Sequence, residues 1–186
     1  MRIIGGKFKG KKLLLPIDKK TRPLKDLVKE SIFNLLENSN KYKIILKKST
    51  VLDLFSGSGS FGLECISRGV EKIIFSENYP GVINILKKNI SNINGNKFSQ
   101  IIEKNCFDLI SSNILLNQSF DIIFLDPPFK EDGTNDLLEK IIEKKLLNKD
   151  GIIILHKHKK DTTKITNKLN IIDKRFYGIS KIIFCN

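Results

Sequence analysis

Residues 51–62 read Val51-Leu52-Asp53-Leu54-Phe55-Ser56-Gly57-Ser58-Gly59-Ser60-Phe61-Gly62. An apolar run typical of a buried strand leads directly into a GxGxxG turn, and a helical pattern follows the turn. Glycines in such a turn let a ligand approach the backbone, and the helix N-terminus beyond them presents unpaired N–H groups. This stretch therefore predicts a strand, a turn and a helix that together bind a nucleotide-like ligand.

Outward from this stretch, short apolar runs alternate with helical patterns. The runs are Val51–Phe55, Lys72–Phe75, Gln100–Glu103, Asp121–Leu125 and Gly151–Leu155, and the helices between them are Phe61–Arg68, Val82–Ile93, Leu109–Leu116 and Leu137–Leu147. Because parallel neighbours need crossover connections, the alternation predicts a Rossmann-like α/β fold with a mostly parallel sheet. Two last runs, Ile171–Arg175 and Lys181–Phe184, have no helix between them and predict a C-terminal antiparallel hairpin.

A different pattern precedes this alternation. The runs Arg2–Ile4 and Lys11–Leu15 are separated by glycines, which predicts a small basic β-hairpin. Apolar residues then recur at helical spacing from Leu24 to Leu36, which predicts an amphipathic helix. We therefore divide the chain into an N-terminal hairpin and helix extension, residues 1–45, and a main domain, residues 46–186.

Positive charge is concentrated in the first part of the chain. The 186 residues carry a net charge of +13, of which residues 1–50 supply +10 from 14 basic and 4 acidic residues. Such an excess favours an anionic partner, most often nucleic acid. Only four of the 33 basic residues are arginines, so the Lys-rich composition of an AT-rich genome remains an alternative explanation for part of this charge.

Cysteine and histidine usage argues against disulfides and metal. Cys65, Cys106 and Cys185 form no CxxC pair, which fits a reducing compartment. His156 and His158 lack a third ligand, so no metal site is predicted. No run resembles a signal peptide or a transmembrane helix, so we expect a cytoplasmic protein with no membrane partner.

Two acidic residues, Asp53 and Glu77, lie near the ends of the first two apolar runs and are candidate ligand-binding residues. Asp53 lies four positions before Gly57, where a carboxylate attracts a cationic ligand and repels a diphosphate. S-adenosylmethionine is such a cation, whereas NAD carries a diphosphate; the alternative is that Asp53 only ties down the glycine loop. Glu77 lies 20 residues beyond Gly57, where nucleotide-binding α/β folds place the carboxylate that accepts ribose hydroxyls.

Asn105 and Cys106 follow the third run, and we expect them at the adenine edge and face of the same ligand. The residues assigned to S-adenosylmethionine, and to its product S-adenosylhomocysteine, are Asp53, Phe55, Gly57, Ser58, Gly59, Glu77, Asn78, Asn105 and Cys106.

The candidate catalytic motif is Asp126-Pro127-Pro128-Phe129, at the end of the fourth run. Two prolines end the strand and stiffen its exit. An exocyclic amine is a poor nucleophile because its lone pair is delocalised into the base. Hydrogen bonds from its N–H groups to the Asp126 carboxylate and the Pro127 carbonyl favour a pyramidal nitrogen and direct the lone pair at a sulfonium methyl. Phe129 is placed to stack on an extruded base.

These motifs resemble class I S-adenosylmethionine-dependent methyltransferases that modify amino groups. The segments Arg2–Leu13, Thr21–Pro23, Val28–Leu36 and Phe176–Ser180 are similar to the RsmD family, bacterial enzymes that methylate the exocyclic amine of one guanine in 16S ribosomal RNA. The resemblance implies a seven-stranded sheet whose last strand is antiparallel. The chain departs from the family at Leu24, where a small hydroxyl residue is usual, and at His156, where an acid is usual; the latter suggests that position 156 is not essential to the chemistry.

The N-terminal cations are then assigned to RNA phosphates, which bind without selecting sequence. They are Arg2, Lys7, Lys9, Lys11, Lys12, Arg22, Lys25 and Lys29. Arg22 is favoured among them because an arginine in a lysine-rich chain suggests bidentate binding.

The predicted function is methyl transfer from S-adenosylmethionine to the N2 amine of a guanine in 16S ribosomal RNA. The partner is an assembling or assembled small ribosomal subunit, and we expect a monomer. Alternatives are the same chemistry on 23S ribosomal RNA, DNA adenine or a protein glutamine, a nicotinamide oxidoreductase, and a catalytically silent RNA-binding protein. No large target-recognition domain is evident, which argues against a sequence-specific DNA enzyme.

Overall fold

The computed structural model describes residues 1–17, 24–128, 131 and 133–186. In chain order its elements are α1 (Asp26–Asn38), β1 (Thr50–Asp53), α2 (Ser60–Ser67), β2 (Lys72–Ser76), α3 (Pro80–Asn92), β3 (Ser99–Ile102), α4 (Cys106–Ser111), β4 (Phe120–Leu125), α5 (Thr134–Glu143), β5 (Leu147–His158), β6 (Ile171–Tyr177) and β7 (Ser180–Cys185). The alternation of strands and helices predicted from the sequence is confirmed.

The seven strands of the described residues form one sheet in the order β3-β2-β1-β4-β5-β7-β6. Strands β1 to β5 pair in parallel, and β7 pairs antiparallel with both β5 and β6. The predicted C-terminal hairpin is therefore confirmed. The strand order changes direction between β1 and β4, which opens a crevice at the carboxyl ends of these strands, where α/β folds bind their ligands.

Both faces of the sheet are apolar, and the side chains of successive strand residues point to opposite faces. Val51 and Phe124 pack in one cluster with residues of α1, α2 and α3. Leu52 and Ile123 pack in a second cluster with residues of α4 and α5. The continuous apolar runs in the sequence thus reflect strands that are covered on both sides. No described helix is long and apolar enough to cross a lipid bilayer.

The N-terminal hairpin is closed by backbone hydrogen bonds but contains a single antiparallel bridge, Arg2 to Lys12, instead of two regular strands. The Ile3 N–H donates to the Lys11 carbonyl at 3.0 Å. Ile3 and Leu13 belong to the same apolar cluster as Val51, so the extension contributes to the core of the main domain. The division at residue 45 stays a prediction.

Three predicted elements differ by three or more residues at both ends, and one of them is the helix expected over Leu137–Leu147, which is α5, Thr134–Glu143. The helix expected over residues 109–116 is α4, Cys106–Ser111, because the Asn105 Oδ1 accepts from the Phe107 N–H at 2.8 Å and starts the helix earlier. The fifth strand extends beyond the predicted run in both directions, from Leu147 to His158.

Candidate active site

A cavity of about 570 Å³ lies at the carboxyl ends of β1, β2 and β4. This volume is in the range of sites that hold a ligand of nucleoside size. The residues assigned from the sequence that line it are Asp53, Phe55, Gly57, Ser58, Glu77, Asn78, Asn105, Asp126, Pro127 and Pro128. The topology therefore brings the glycine loop, the β2 end and the Asp-Pro-Pro motif to one site.

Asp53 is the buried acid of this cavity. Its side chain is 1% exposed, and neither carboxylate oxygen has a hydrogen-bond partner of ordinary geometry among the described residues. Burial raises the pKa of Asp53 well above its usual value, and the nearby Asp126 and Glu77 carboxylates raise it further. The Ser60 Oγ, which also lines the cavity, is likewise without a partner in the described part of the chain. Buried polar atoms of this kind fit a cationic ligand that supplies the missing contacts.

The two glycines of the loop have different roles. Gly57 has a φ of +53°, and a Cβ there would meet no atom within 4 Å, so its backbone is open to a ligand. Gly59, with a φ of +90°, does not line the cavity; a Cβ there would lie 2.7 Å from Leu86 and 2.9 Å from Leu63. Gly59 therefore allows α2 to pack closely against its neighbours, and its contact with the ligand stays a prediction.

Glu77 fixes the glycine loop and its own turn. Its Oε2 accepts a hydrogen bond of 2.7 Å from the Gly57 N–H. Its Oε1 accepts from the N–H groups of Asn78 and Tyr79 at 2.9 and 2.8 Å. Because each carboxylate oxygen has two lone pairs, these three bonds hold the side chain at the cavity wall and leave one lone pair of Oε2 for a ligand hydroxyl.

The adenine-face assignment of Cys106 is wrong. Cys106 is 4% exposed and belongs to the apolar cluster under α4, and burial raises the pKa of its thiol to about 12. The next residue, Phe107, lines the cavity instead, with Phe55 in edge contact at 6.5 Å between ring centroids. No pattern in the sequence signals this exchange, because it depends on Asn105 capping a helix that begins at Cys106.

Asp126 stands at the end of β4 with its side chain 19% exposed. Its Oδ1 lies 2.7 Å from the Nδ1 of His156, and the His156 Nε2 lies 2.8 Å from the Ser180 Oγ. His156 lines the cavity and is 6% exposed, so the position at which the chain departs from the family contacts the candidate catalytic acid. Phe129, predicted to stack on the base, lies outside the described residues.

An aromatic column connects α1 to the cavity wall. Phe61 and Phe124, which both line the cavity, are stacked at 3.9 Å between ring centroids. Phe33 of α1 stacks on Phe61 at 5.3 Å, and the Arg68 guanidinium covers the Phe33 ring at 4.6 Å. Leu24, the departure noted in the sequence, is 3% exposed and lines the cavity beside this column.

Most of the predicted phosphate-binding cations are exposed. The exposed ones are Arg2, Lys7, Lys9, Lys11, Lys12 and Lys25. Arg22 lies outside the described residues. Arg2 also makes an exposed ion pair with Asp26 at 3.3 Å.

The assignment of Lys29 to RNA is wrong, because its side chain is 0% exposed. Its Nζ donates to the Arg2 carbonyl at 2.5 Å and lies 3.6 Å from Asp26 and 4.0 Å from Glu64. Desolvation lowers the pKa of Lys29, and the two carboxylates oppose that shift. Lys29 is a structural cation that holds the hairpin on α1 and α2.

Further buried polar contacts fasten the extension to the ligand loop. Asn89 of α3, 0% exposed, exchanges hydrogen bonds of 2.8 and 3.0 Å with the backbone of Leu14. Its Nδ2 also donates to the Ser58 carbonyl in the glycine loop at 2.9 Å. The buried side-chain amide of Asn89 therefore connects the hairpin to the glycine loop.

Comparisons with known proteins agree with this geometry. Residues 1–186 match the family model described as conserved hypothetical protein 95. Ribosomal RNA small subunit methyltransferase D of Haemophilus influenzae is 33% identical over 161 residues, covering 86% of this chain and 79% of that protein. A solved Haemophilus influenzae structure has a TM-score of 0.79 at 30% identity and covers 100% of this chain and 97% of that chain.

A more distant structure gives the fold alone. An RNA methyltransferase from Salinibacter ruber, solved in complex with S-adenosyl-L-homocysteine, has a TM-score of 0.61 at 11% identity and covers 88% of this chain and 92% of that chain.

Proposed function

We propose that this chain, which belongs to the conserved hypothetical protein 95 or RsmD family, methylates the N2 amine of a guanine in 16S ribosomal RNA with S-adenosylmethionine. The observation that carries the proposal is the presence of two different acids in one cavity. Asp53 is buried and faces the backbone N–H groups of Phe55 and Gly62 without a hydrogen bond of ordinary geometry, whereas Asp126 is part-exposed and hydrogen-bonded. The Asp53 site suits a cationic ligand, and the Asp126 carboxylate suits an amine that donates hydrogen bonds.

The residues present fit S-adenosylmethionine. When bound, this group supplies a methyl carbon on a positively charged sulfur. Asp53 and Ser60 offer unsatisfied oxygens to the cationic amino acid part, and that charge favours the ionised form of Asp53. Glu77 and Asn78 are proposed to bind the ribose, and Asn105 and Phe107 are proposed to contact the adenine. Gly57 and Ser58 present loop backbone, and Phe55 covers the ligand.

The acceptor amine is proposed to meet Asp126 and the Pro127 carbonyl. Both accept from its N–H groups, which frees the nitrogen lone pair for attack on the methyl carbon. As the nitrogen–carbon bond forms and the sulfur–carbon bond breaks, the sulfur keeps the electron pair and the surplus N–H proton passes to the Asp126 carboxylate. Pro128 lines the entrance, and Phe129 is proposed to stack on the guanine.

The hairpin cations are proposed to hold the RNA. Lys7, Lys9, Lys11 and Lys12 are exposed on one small hairpin, Arg2 is exposed on the same hairpin and pairs with Asp26, and Lys25 is exposed just before α1. Such contacts neutralise phosphates and position the strand, while base contacts in the cavity select the nucleotide. We propose a monomeric cytoplasmic enzyme that acts on an assembling or assembled small subunit.

Two measurements test the proposal. Calorimetric titration separates a methyltransferase from a nicotinamide oxidoreductase, because S-adenosylhomocysteine should bind and NAD should not. Transfer of tritiated methyl to small-subunit RNA should then fall by roughly 100-fold or more in Asp126→Ala, while S-adenosylhomocysteine affinity stays close to that of the wild type. Retained turnover in Asp126→Ala would remove the proposed role of this acid.

A further inference from the structure

We propose that His156 is the positioning residue of Asp126, and that it orients the carboxylate so that Oδ2 meets the acceptor amine. The inference rests on the proposed function, because it assigns a role within the same amine-activating site. Nothing in the sequence motif Asp126-Pro127-Pro128 points to it, since the two residues are 30 positions apart.

The register of the sheet places the two side chains together. Leu125 of β4 pairs with Leu155 of β5, so Asp126 and His156 are the next residues on two neighbouring parallel strands. The resulting contact between Oδ1 and Nδ1 is 2.7 Å, the length of a charge-assisted hydrogen bond. The histidine side chain is only 7% exposed, so competition from water at this contact is small.

Ser180 fixes the histidine from the other side. Its Oγ lies 2.8 Å from the His156 Nε2, and Ser180 itself is 2% exposed at the start of β7. When Nδ1–H donates to the carboxylate, the neutral ring presents Nε2 as an acceptor for the serine hydroxyl. The three residues thus form a hydrogen-bonded series across β4, β5 and β7 that holds the orientation of the ring.

These hydrogen bonds give the two oxygens of Asp126 different roles. Oδ1 is held by the His156 N–H, which leaves Oδ2 to accept from the amine and to take its proton after the nitrogen–carbon bond has formed. His156 acts through Asp126 and does not contact the substrate. Its effect is on geometry, which reaches the rate because a displacement of about 1 Å in a reacting group can lower it by about 100-fold.

A matched pair of variants separates the two hydrogen bonds of the ring. The amide nitrogen of His156→Asn stands near the position of Nδ1 and keeps the bond to Asp126. The amide nitrogen of His156→Gln stands near Nε2 and keeps only the contact with Ser180. His158→Ala is the control, because His158 lies two residues further along β5, is half-buried, and accepts a hydrogen bond of 3.2 Å from the Lys160 N–H.

The readout is kcat and KM for methyl transfer to small-subunit RNA, with S-adenosylhomocysteine affinity measured beside them. We expect kcat to fall by roughly 10-fold to 100-fold in His156→Gln and by less than about 5-fold in His156→Asn, with KM and affinity unchanged in both. His158→Ala should match the wild type. Equal activity of the Asn and Gln variants, or a higher activity of the Gln variant, would overturn the inference.

The wild-type result keeps this inference distinct from the proposed function. An inactive wild type on every RNA tested would contradict the proposed function. An active wild type with an unimpaired His156→Gln would contradict only the role of His156. Ser180→Ala gives a second test if the His156→Gln variant folds poorly, because loss of the hydroxyl should lower kcat without changing KM.

Discussion

The backbone N–H of Gly57 donates a 2.7 Å hydrogen bond to the Oε2 of Glu77, and this bond joins the glycine loop after β1 to the end of β2. The acid that the sequence assigns to a ribose therefore also shapes the loop that surrounds the ligand. The remaining oxygen of Glu77 is held by two further N–H groups, so the side chain is oriented before any ligand arrives.

Removal of this acid should weaken the ligand site more than it weakens the fold. We expect Glu77→Ala to lower S-adenosylhomocysteine affinity by roughly 10-fold to 100-fold, because hydrogen bonds to a charged group are worth about 1.5–3 kcal/mol. Calorimetric titration measures the change. Glu71→Ala is the control, since Glu71 is an exposed acid at the other end of β2; an equal loss of affinity in that variant would contradict a specific role for Glu77.

Asp53 should make the ligand-free protein less stable as the pH rises. Burial, with Asp126 and Glu77 nearby, raises the pKa of Asp53 in the folded state above its value in the unfolded chain. Between these two pKa values the folded protein holds the proton and the unfolded chain does not, so the free energy of unfolding falls as the pH rises above about 4.

Asp53→Asn should remove this fall in the free energy of unfolding at high pH. We expect the variant to melt at a higher temperature than the wild type at pH 8, with a smaller difference at pH 5, and to bind S-adenosylhomocysteine more weakly. Thermal melts at both pH values and calorimetry test the two expectations together. A variant that is less stable than the wild type at pH 8 would show that the carboxylate stabilises the glycine loop in the absence of ligand.

Lys29 should affect stability, whereas Lys25 should not. Removal of one partner from a buried ion pair typically costs about 3–5 kcal/mol, so Lys29→Ala should lower the free energy of unfolding in urea by about that amount. Lys25 is an exposed lysine at the start of the same helix, and Lys25→Ala should change the unfolding free energy by less than about 0.5 kcal/mol. Similar values for the two variants would contradict the structural role of Lys29.

The hairpin lysines should control RNA affinity through charge. Replacement of Lys7, Lys9, Lys11 and Lys12 by Gln should weaken binding to small-subunit RNA and reduce the slope of log affinity against log salt by up to about 3. Filter binding at several salt concentrations measures both quantities.

A control variant with the same change in net charge makes this prediction specific. Four exposed lysines lie on α5 or shortly after it, on the face of the sheet that the hairpin does not cover: Lys140, Lys144, Lys145 and Lys149. Their replacement by Gln should leave the salt slope nearly unchanged. Equal slopes in the two quadruple variants would indicate that the lysines reflect composition and do not form an RNA site.

The fold and the cavity follow from the sequence because they depend on local patterns. Continuous apolar runs define the strands, and Asp53, Glu77 and Asp126 lie at the carboxyl ends of three of them, so parallel topology alone brings these acids to one edge of the sheet. The contact between Asp126 and His156 depends on the register between β4 and β5, which no local pattern encodes. The burial of Lys29 could not be predicted from the sequence for a different reason. In a lysine-rich chain, residue type does not distinguish a lysine on the buried face of a helix from an exposed lysine.

The central claim, that the amine of a guanine in 16S ribosomal RNA is the methyl acceptor, is tested most directly by nucleoside mass spectrometry. Small-subunit and large-subunit RNA are incubated with the protein and with S-adenosylmethionine that carries a deuterated methyl group, and the RNA is digested to nucleosides. We predict that the label appears in N2-methylguanosine from 16S RNA and is absent after Asp126→Ala. Label in a methylated adenosine, in 23S RNA or in no nucleoside at all would contradict the claim.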